Sequence, residues 1–220
     1  MADIILKASK APNLPIPTIA YSQTYQESFS NALRLYFNTL DSFTINLSNV
    51  DGGSGLSFPH IAASDTTDQY ATGNNTATLV AWNTGESILG FTLVSGAAIA
   101  EYSGVYKITY SLQFVNTDNA IQDATVWLKV NNVDVARSAT SFSVPARKSA
   151  GVPSYVCGYS EAVFSVNAGD SIKLYWATGL AATSGGVNGI YIFADPLQTT
   201  PYARPAIPSA IGSITFVSRT

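Results

Sequence analysis

A chain of 220 residues with 46% hydrophobic and 11% aromatic side chains is long enough to bury a real core and too apolar to be disordered. Only 11% of residues are charged, well below the ~25% typical of soluble domains, so Ser, Thr, Asn and Gln must carry the surface. A net charge of −3 without a basic run argues against a nucleic-acid partner, and a single cysteine excludes an intrachain disulfide.

The first twenty residues read as an arm. Pro12, Pro15 and Pro17 forbid helix and bias their neighbours to extended backbone. Leu14 and Ile16 between them, with Ile4, Ile5, Leu6 and Ile19, suit an arm lying along another protein; the bland alternative is a floppy tail. Lys7 and Lys10 are not followed by an apolar h-region, and no apolar run approaches the ~20 residues that span a bilayer. The expectation is a protein made in a cytoplasm that leaves it without a signal peptide and does not insert into membranes.

A helix is predicted over Tyr21 to Leu40. Tyr25, Phe29, Leu33, Tyr36 and Leu40 recur at a spacing of three or four, and Ala32 and Phe37 widen the stripe. Ser22 or Thr24 is placed to cap it, with Gln26 and Glu27 in the first turn. Such a helix either packs on its own sheet or joins copies of the chain or a larger assembly. Phe43 to Val50 is a short run of alternating apolar residues, broken by Asp51-Gly52-Gly53-Ser54-Gly55. This divides the chain into an anchoring arm and helix (1–51), a Gly-rich linker (52–57) and a β head (58–220).

From Phe58 onward strand signals follow one another. Ile61 to Ala63, Thr76 to Trp82, Ile88 to Val94 and Ala98 to Ala100 precede a central pair. In Val105 to Val115, Tyr106, Ile108, Tyr110, Leu112 and Phe114 share one parity, and Lys107, Thr109, Ser111 and Gln113 the other. Ala124 to Val130 repeats the pattern. Asn131-Asn132 then fits a two-residue hairpin turn, and Val133 to Ala139 returns. Ser141 to Val144, Val156 to Val166, Ser171 to Thr178, Gly189 to Ala194 and Ala210 to Ser218 complete the set. Turns are expected at Gly73-Asn74-Asn75, Asn83-Thr84-Gly85, Asn167-Ala168-Gly169-Asp170 and Ser184-Gly185-Gly186. Many short strands between turns predict a mainly β, antiparallel sandwich or barrel.

The ordered series GVYKITYSLQF, WLKVNNVDVARSAT and NAGDSIKLYW resembles the jelly-roll head shared by complement globular heads and the tumour-necrosis-factor superfamily, over roughly 58–220. The closing RPAIPSAIGSITFVS resembles the last strand of versions carried by tailed bacteriophages. YQESFSNALRLYFNTLD resembles N-terminal regions of small phage virion proteins. The resemblance implies an antiparallel two-sheet jelly roll that works as a homotrimer, with an aromatic-rich sheet face on the threefold axis. Tyr106, Tyr110 and Tyr175 are the candidates for trimer core or axis. Leu14, Ile16, Tyr25, Phe29, Leu33, Tyr36 and Leu40 are the candidates for anchoring or oligomerisation.

Little in the chain carries catalytic chemistry. His60 is the only histidine, so a multi-histidine metal site is impossible, and a structural role is expected. Cys157 lies in a strand run with no base signature beside it, and reads as a small apolar side chain. Asp65, Asp68, Asp118 and Asp123 lie in polar loops without calcium-loop spacing. No cofactor, no metal and no enzymatic activity are expected. Tyr155 and Tyr159, with Tyr175 and Trp176, could offer flat faces to sugars, although strand and interface roles suit aromatic residues better. Asn116, Asp118, Asn119, Arg147, Tyr155 and Asn188 lie in or beside three loops, 116–122, 146–154 and 179–188, and are the ligand-facing candidates.

The function expected is that of a structural phage virion protein. It is trimeric, held to capsid, tail or fibre proteins by its N-terminal region, and displays the head for attachment to the host surface, a glycan being the candidate ligand there, or for capsid or tail decoration. The alternative is a free carbohydrate- or protein-binding module outside any virion.

Overall fold

A computed structural model describes residues 12–16, 19–48, 58–185 and 187–219, with helix side chains up to residue 41. The expected Ile4, Ile5 and Leu6 of the arm and the linker at 52–57 lie outside those residues. The chain divides into two compact units, Met1–Ser57 and Phe58–Thr220.

In the first unit, helix α1 spans Gln23–Ser48. Ser22 caps it, its Oγ accepting from the Tyr25 amide at 3.3 Å. Gln23 donates to Glu27 at 2.9 Å, one turn on. The helix runs eight residues past the expected end at Leu40, through the run that alternates in sequence. No glycine or proline occurs between Leu40 and Ser48, so nothing stops propagation there. Among the described residues, no α1 side chain is fully buried.

The second unit holds β1 (His60–Asp65), β2 (Thr78–Leu79), β3 (Thr84–Leu89), β4 (Phe91–Val94), β5 (Ala97–Ala100), β6 (Gly104–Asn116), β7 (Gln122–Val130), β8 (Val133–Asp134), β9 (Thr140–Val144), β10 (Ser154–Val166), β11 (Ser171–Thr178), β12 (Ile190–Ile192) and β13 (Ala210–Ser218). Sheet A has the order β10-β6-β13-β1-β3, with β12 beside the end of β6. Sheet B has the order β4-β5-β11-β7-β8, with β2 on β11 and β9 on β7. All the pairings between these strands are antiparallel. This is the two-sheet jelly-roll sandwich expected.

The core fills the space between the sheets. β6 turns Tyr106, Ile108, Tyr110, Leu112 and Phe114 inward, against Val126 and Leu128 of β7 and Leu174 and Trp176 of β11. Tyr106 meets Phe91 and Phe216 edge-on, at ring distances of 5.4 and 5.5 Å. Tyr106 is 0% exposed and Tyr110 2%, so both face the interior and neither is available to line a threefold axis.

Four expected elements differ. Thr76 to Trp82 is a strand only over Thr78–Leu79. Ile88 to Val94 is not one strand: Gly90 takes φ +69° and passes the chain from β3 in sheet A to β4 in sheet B. The expected turn at Asn83-Thr84-Gly85 is already the start of β3, an edge strand exposed throughout. The return run Val133 to Ala139 pairs only over Val133–Asp134, because the chain leaves the ladder before Arg137, which takes φ +65°. The Asn131-Asn132 turn has φ +51° and +65°, the backbone that a tight hairpin demands.

Candidate assembly face and loop tip

Alternation on β6 and β10 decides what sheet A shows to the outside. With even-numbered residues inward, the odd ones form the outer face. The β10–β6 register sets Tyr155 beside Val115, Cys157 beside Gln113, Tyr159 beside Ser111, Glu161 beside Thr109 and Val163 beside Lys107. Strand β13 continues three of these rows with Ile211, Ser213 and Thr215, and β1 with Ser64, Ala62 and His60. Tyr155, Tyr159 and Val163 are 53%, 59% and 62% exposed, and Ile211 48%.

The polar groups on this face are largely occupied with one another. Lys107 pairs with Glu161. Thr109 and Ser213 share a hydrogen bond of 2.7 Å. Ser64 donates to Glu86 at 2.7 Å. His60 sits between the Phe58 carbonyl and the Ser87 hydroxyl, 2.9 Å from each, which makes it a structural link between β1 and β3. Such a face loses little hydrogen bonding when it leaves water, and gains from covering its apolar side chains. Cys157 corrects the sequence reading: it is exposed on this face, with Gln113 Nε2 at 3.7 Å from its sulfur. Being odd-numbered on β10, it points away from the core.

At one end of sheet A the face runs into an aromatic cluster. Tyr70 stacks on Tyr191 with ring centres 5.1 Å apart, Phe193 meets Tyr191 at 6.2 Å, and Tyr155 meets Phe193 at 5.5 Å. Val115 and Ala182 close a second small core beneath Tyr191. Burial first, then the negative charge of Asp68, pushes the Tyr191 phenol up to about 12. The same two causes raise Tyr70.

The three candidate loops meet at this end. The Thr117 amide donates to the Gly189 carbonyl at 3.0 Å, and the Arg147 amide to the Asp118 carbonyl at 2.8 Å. Asp118 accepts from Gln122 at 3.0 Å and from the Ala120 amide at 3.2 Å. These bonds, Gln122 foremost, hold its carboxyl below the usual range. Arg147 leans on the Thr117 carbonyl at 3.4 Å. Asn119 and Asn188 are exposed at the tip.

Asn116 is a correction. It is fully buried, and its amide donates to the carbonyls of Ala120, Val144 and Pro145 at 2.9, 3.2 and 3.0 Å. It builds the tip and cannot face a ligand. Trp176 is likewise buried, at 0% exposure, and offers no face to a sugar. Tyr175 lies on the outer side of sheet B, stacked on Trp127 at 6.3 Å with Lys129 4.9 Å from its ring. No single surface presents Tyr106, Tyr110 and Tyr175 together.

The residues that the sequence reading missed are Val163 and Ile211 on the face, and Tyr70, Tyr191 and Phe193 at the tip. Odd parity on β10 was the available signal for Val163. Nothing local marked the others, which meet only through pairing of distant strands. Of the anchoring candidates, Leu14 and Ile16 are exposed, while Tyr25, Phe29, Leu33, Tyr36 and Leu40 are partly covered along one side of α1. Among the described residues no group of three acidic, histidine or cysteine side chains is placed to hold a metal, and no helix is long and apolar enough to cross a membrane.

No family model and no curated protein matches the chain. Among solved structures, it is similar to the globular domain of zebrafish complement 1qA protein, at 16% identity and a TM-score of 0.41, over 74% of this chain and 99% of that one.

Proposed function

We propose that this chain is a non-enzymatic structural protein of a tailed-phage virion. It works as a homotrimer, held to the particle by its N-terminal region, with the jelly-roll head displayed for host-surface attachment or for capsid or tail decoration. The observation that carries the reading is the outer face of sheet A. Tyr159, Val163 and Ile211 are exposed apolar side chains on it, set among polar groups that bond to one another. A face of that kind is covered at low desolvation cost, and cyclic symmetry allows three copies to cover one another's. Exposed Leu14 and Ile16 in the arm, the low overall charge and the sequence resemblance of the N-terminal segment support attachment to a larger assembly. The loop tip of each head then projects, and many weak contacts per particle combine through avidity.

Sedimentation of the whole chain at micromolar concentration tests the trimer; a monomeric mass overturns it. The double variant Tyr159→Asp with Val163→Asp is expected to leave a folded head and shift the mass to that of a monomer. Cys157 reports on the same face: its alkylation is expected to be at least tenfold slower in the assembled wild type than in that variant. For the virion role, deletion of residues 1–51 is expected to preserve the head and abolish incorporation into particles.

The second reading, a free carbohydrate- or protein-binding module, draws on the Trp127–Tyr175 pair of sheet B, which has Asp134 on the indole nitrogen at 2.8 Å. It predicts that the 1–51 deletion leaves binding intact.

A further inference from the structure

The helix carries a second periodicity that its amphipathic stripe conceals. Leu33, Leu40 and Leu47 recur every seven residues, and so do Phe29, Tyr36 and Phe43. Each aromatic lies three residues after an a position, so the six occupy a and d of consecutive heptads, with Gln26 as the first a. A straight helix drifts by about 20° per heptad from such a repeat. A strict seven-residue seam therefore suits a partner helix that supercoils with it, rather than a flat sheet. α1 spans all of these positions.

The charges leave identical copies free to meet. Glu27, Arg34 and Asp41 are the charged residues of α1, and all three fall at b, on the side away from the seam. Ser30, Phe37 and Thr44 occupy e, and Tyr25, Ala32, Thr39 and Asn46 occupy g. In a parallel coil of identical chains e of one helix faces g of the next. Uncharged e and g positions mean that identical copies meet without opposing like charges. Phe37 at e is 55% exposed, and with Tyr25 and Ala32 at g it widens the seam beyond the narrow stripe of a two-stranded coil. Alone, a helix of about 39 Å has no charged pair at i, i+3 or i+4 to support it, and most of its stability must come from packing.

We infer that α1 is one strand of a parallel, in-register three-helix coiled coil, its seam covered by α1 of two further copies of this chain. The inference rests on the trimeric reading above and deepens it. The helix serves self-association, and the arm around Leu14 and Ile16 is left to grip the particle.

The test uses the full chain carrying Cys157→Ser, with single cysteines placed at a (Leu33→Cys or Leu40→Cys) or off the seam (Arg34→Cys or Leu35→Cys). Under mild oxidation with copper phenanthroline, the a-position cysteines are expected to form same-residue disulfide dimers at least tenfold faster than the off-seam ones. Two independent a positions guard against one variant that disturbs the helix. Equal rates in a species of trimeric mass overturn the coil and leave the head trimer standing. A monomeric mass overturns the trimeric reading and the coil with it.

Discussion

Trp82 packs against Gly212 of β13, where an added Cβ would stand 2.6 Å from the indole. The space is fully used, so Gly212→Val is expected to lower stability by about 1–3 kcal/mol, read as a lower denaturant midpoint. Asn116 acts in the opposite way, by filling polar demand. Asn116→Ala removes three hydrogen bonds to carbonyls at the base of the tip, the one to Val144 fully buried, and a loss of about 2–3 kcal/mol is expected on that account. Tyr191 couples the tip to alkali. Its phenol ionises at about 12 in place of 10.0, so folding favours the protonated form. That contribution is whole below pH 10 and is lost as pH rises through about 12. Equilibrium unfolding across that window is expected to show falling stability, with a shallower slope in Tyr191→Phe. Burial raises Tyr106 and Tyr110 in the same sense, so the slope shrinks without vanishing.

At the scale of the element, the β7–β8 hairpin shows how far local chemistry reaches. Asn131-Asn132 was legible as a turn, because asparagine accepts the positive φ that both residues take. What could not be read is that Asn131 also ties a neighbouring turn. Its Nδ2 donates to Asp170 at 2.6 Å, and its Oδ1 accepts from the Ser171 amide at 2.9 Å. Asn132 accepts only an exposed bond from Lys173 at 3.0 Å, so Asn132→Ala is expected to cost about 1 kcal/mol, chiefly through backbone strain, and Asn132→Gly, which loses that bond and keeps the backbone, less. Asn131→Gly keeps the backbone and still loses stability; thermal unfolding of the three variants checks the order. The helix end was misplaced because Phe43, Ile45 and Leu47 alternate like a strand. The absence of any breaker before Gly52 was the better guide. The switch at Gly90 was hidden for the opposite reason, since the apolar run continues across it while the chain changes sheets.

For the molecule as a whole, the core of the head is drawn from residues 61–216. A chain starting at Phe58 is accordingly expected to unfold in one cooperative transition, with calorimetric and van't Hoff enthalpies that agree. Strand existence, turn chemistry and the scarcity of charge were all written in the sequence, because period-two alternation, asparagine and glycine act over a few neighbours. Alternation names two faces of a strand but does not say which of them the other sheet will cover. Tyr106 and Tyr110 on β6 and Tyr155 and Tyr159 on β10 belong to equally regular patterns. Only the packing of sheet A on sheet B sent the first pair inward and the second outward. The register between strands far apart in the chain decided the rest: it carried Tyr175 to the opposite side of the head and brought Tyr70, Tyr155, Tyr191 and Phe193 together at one end.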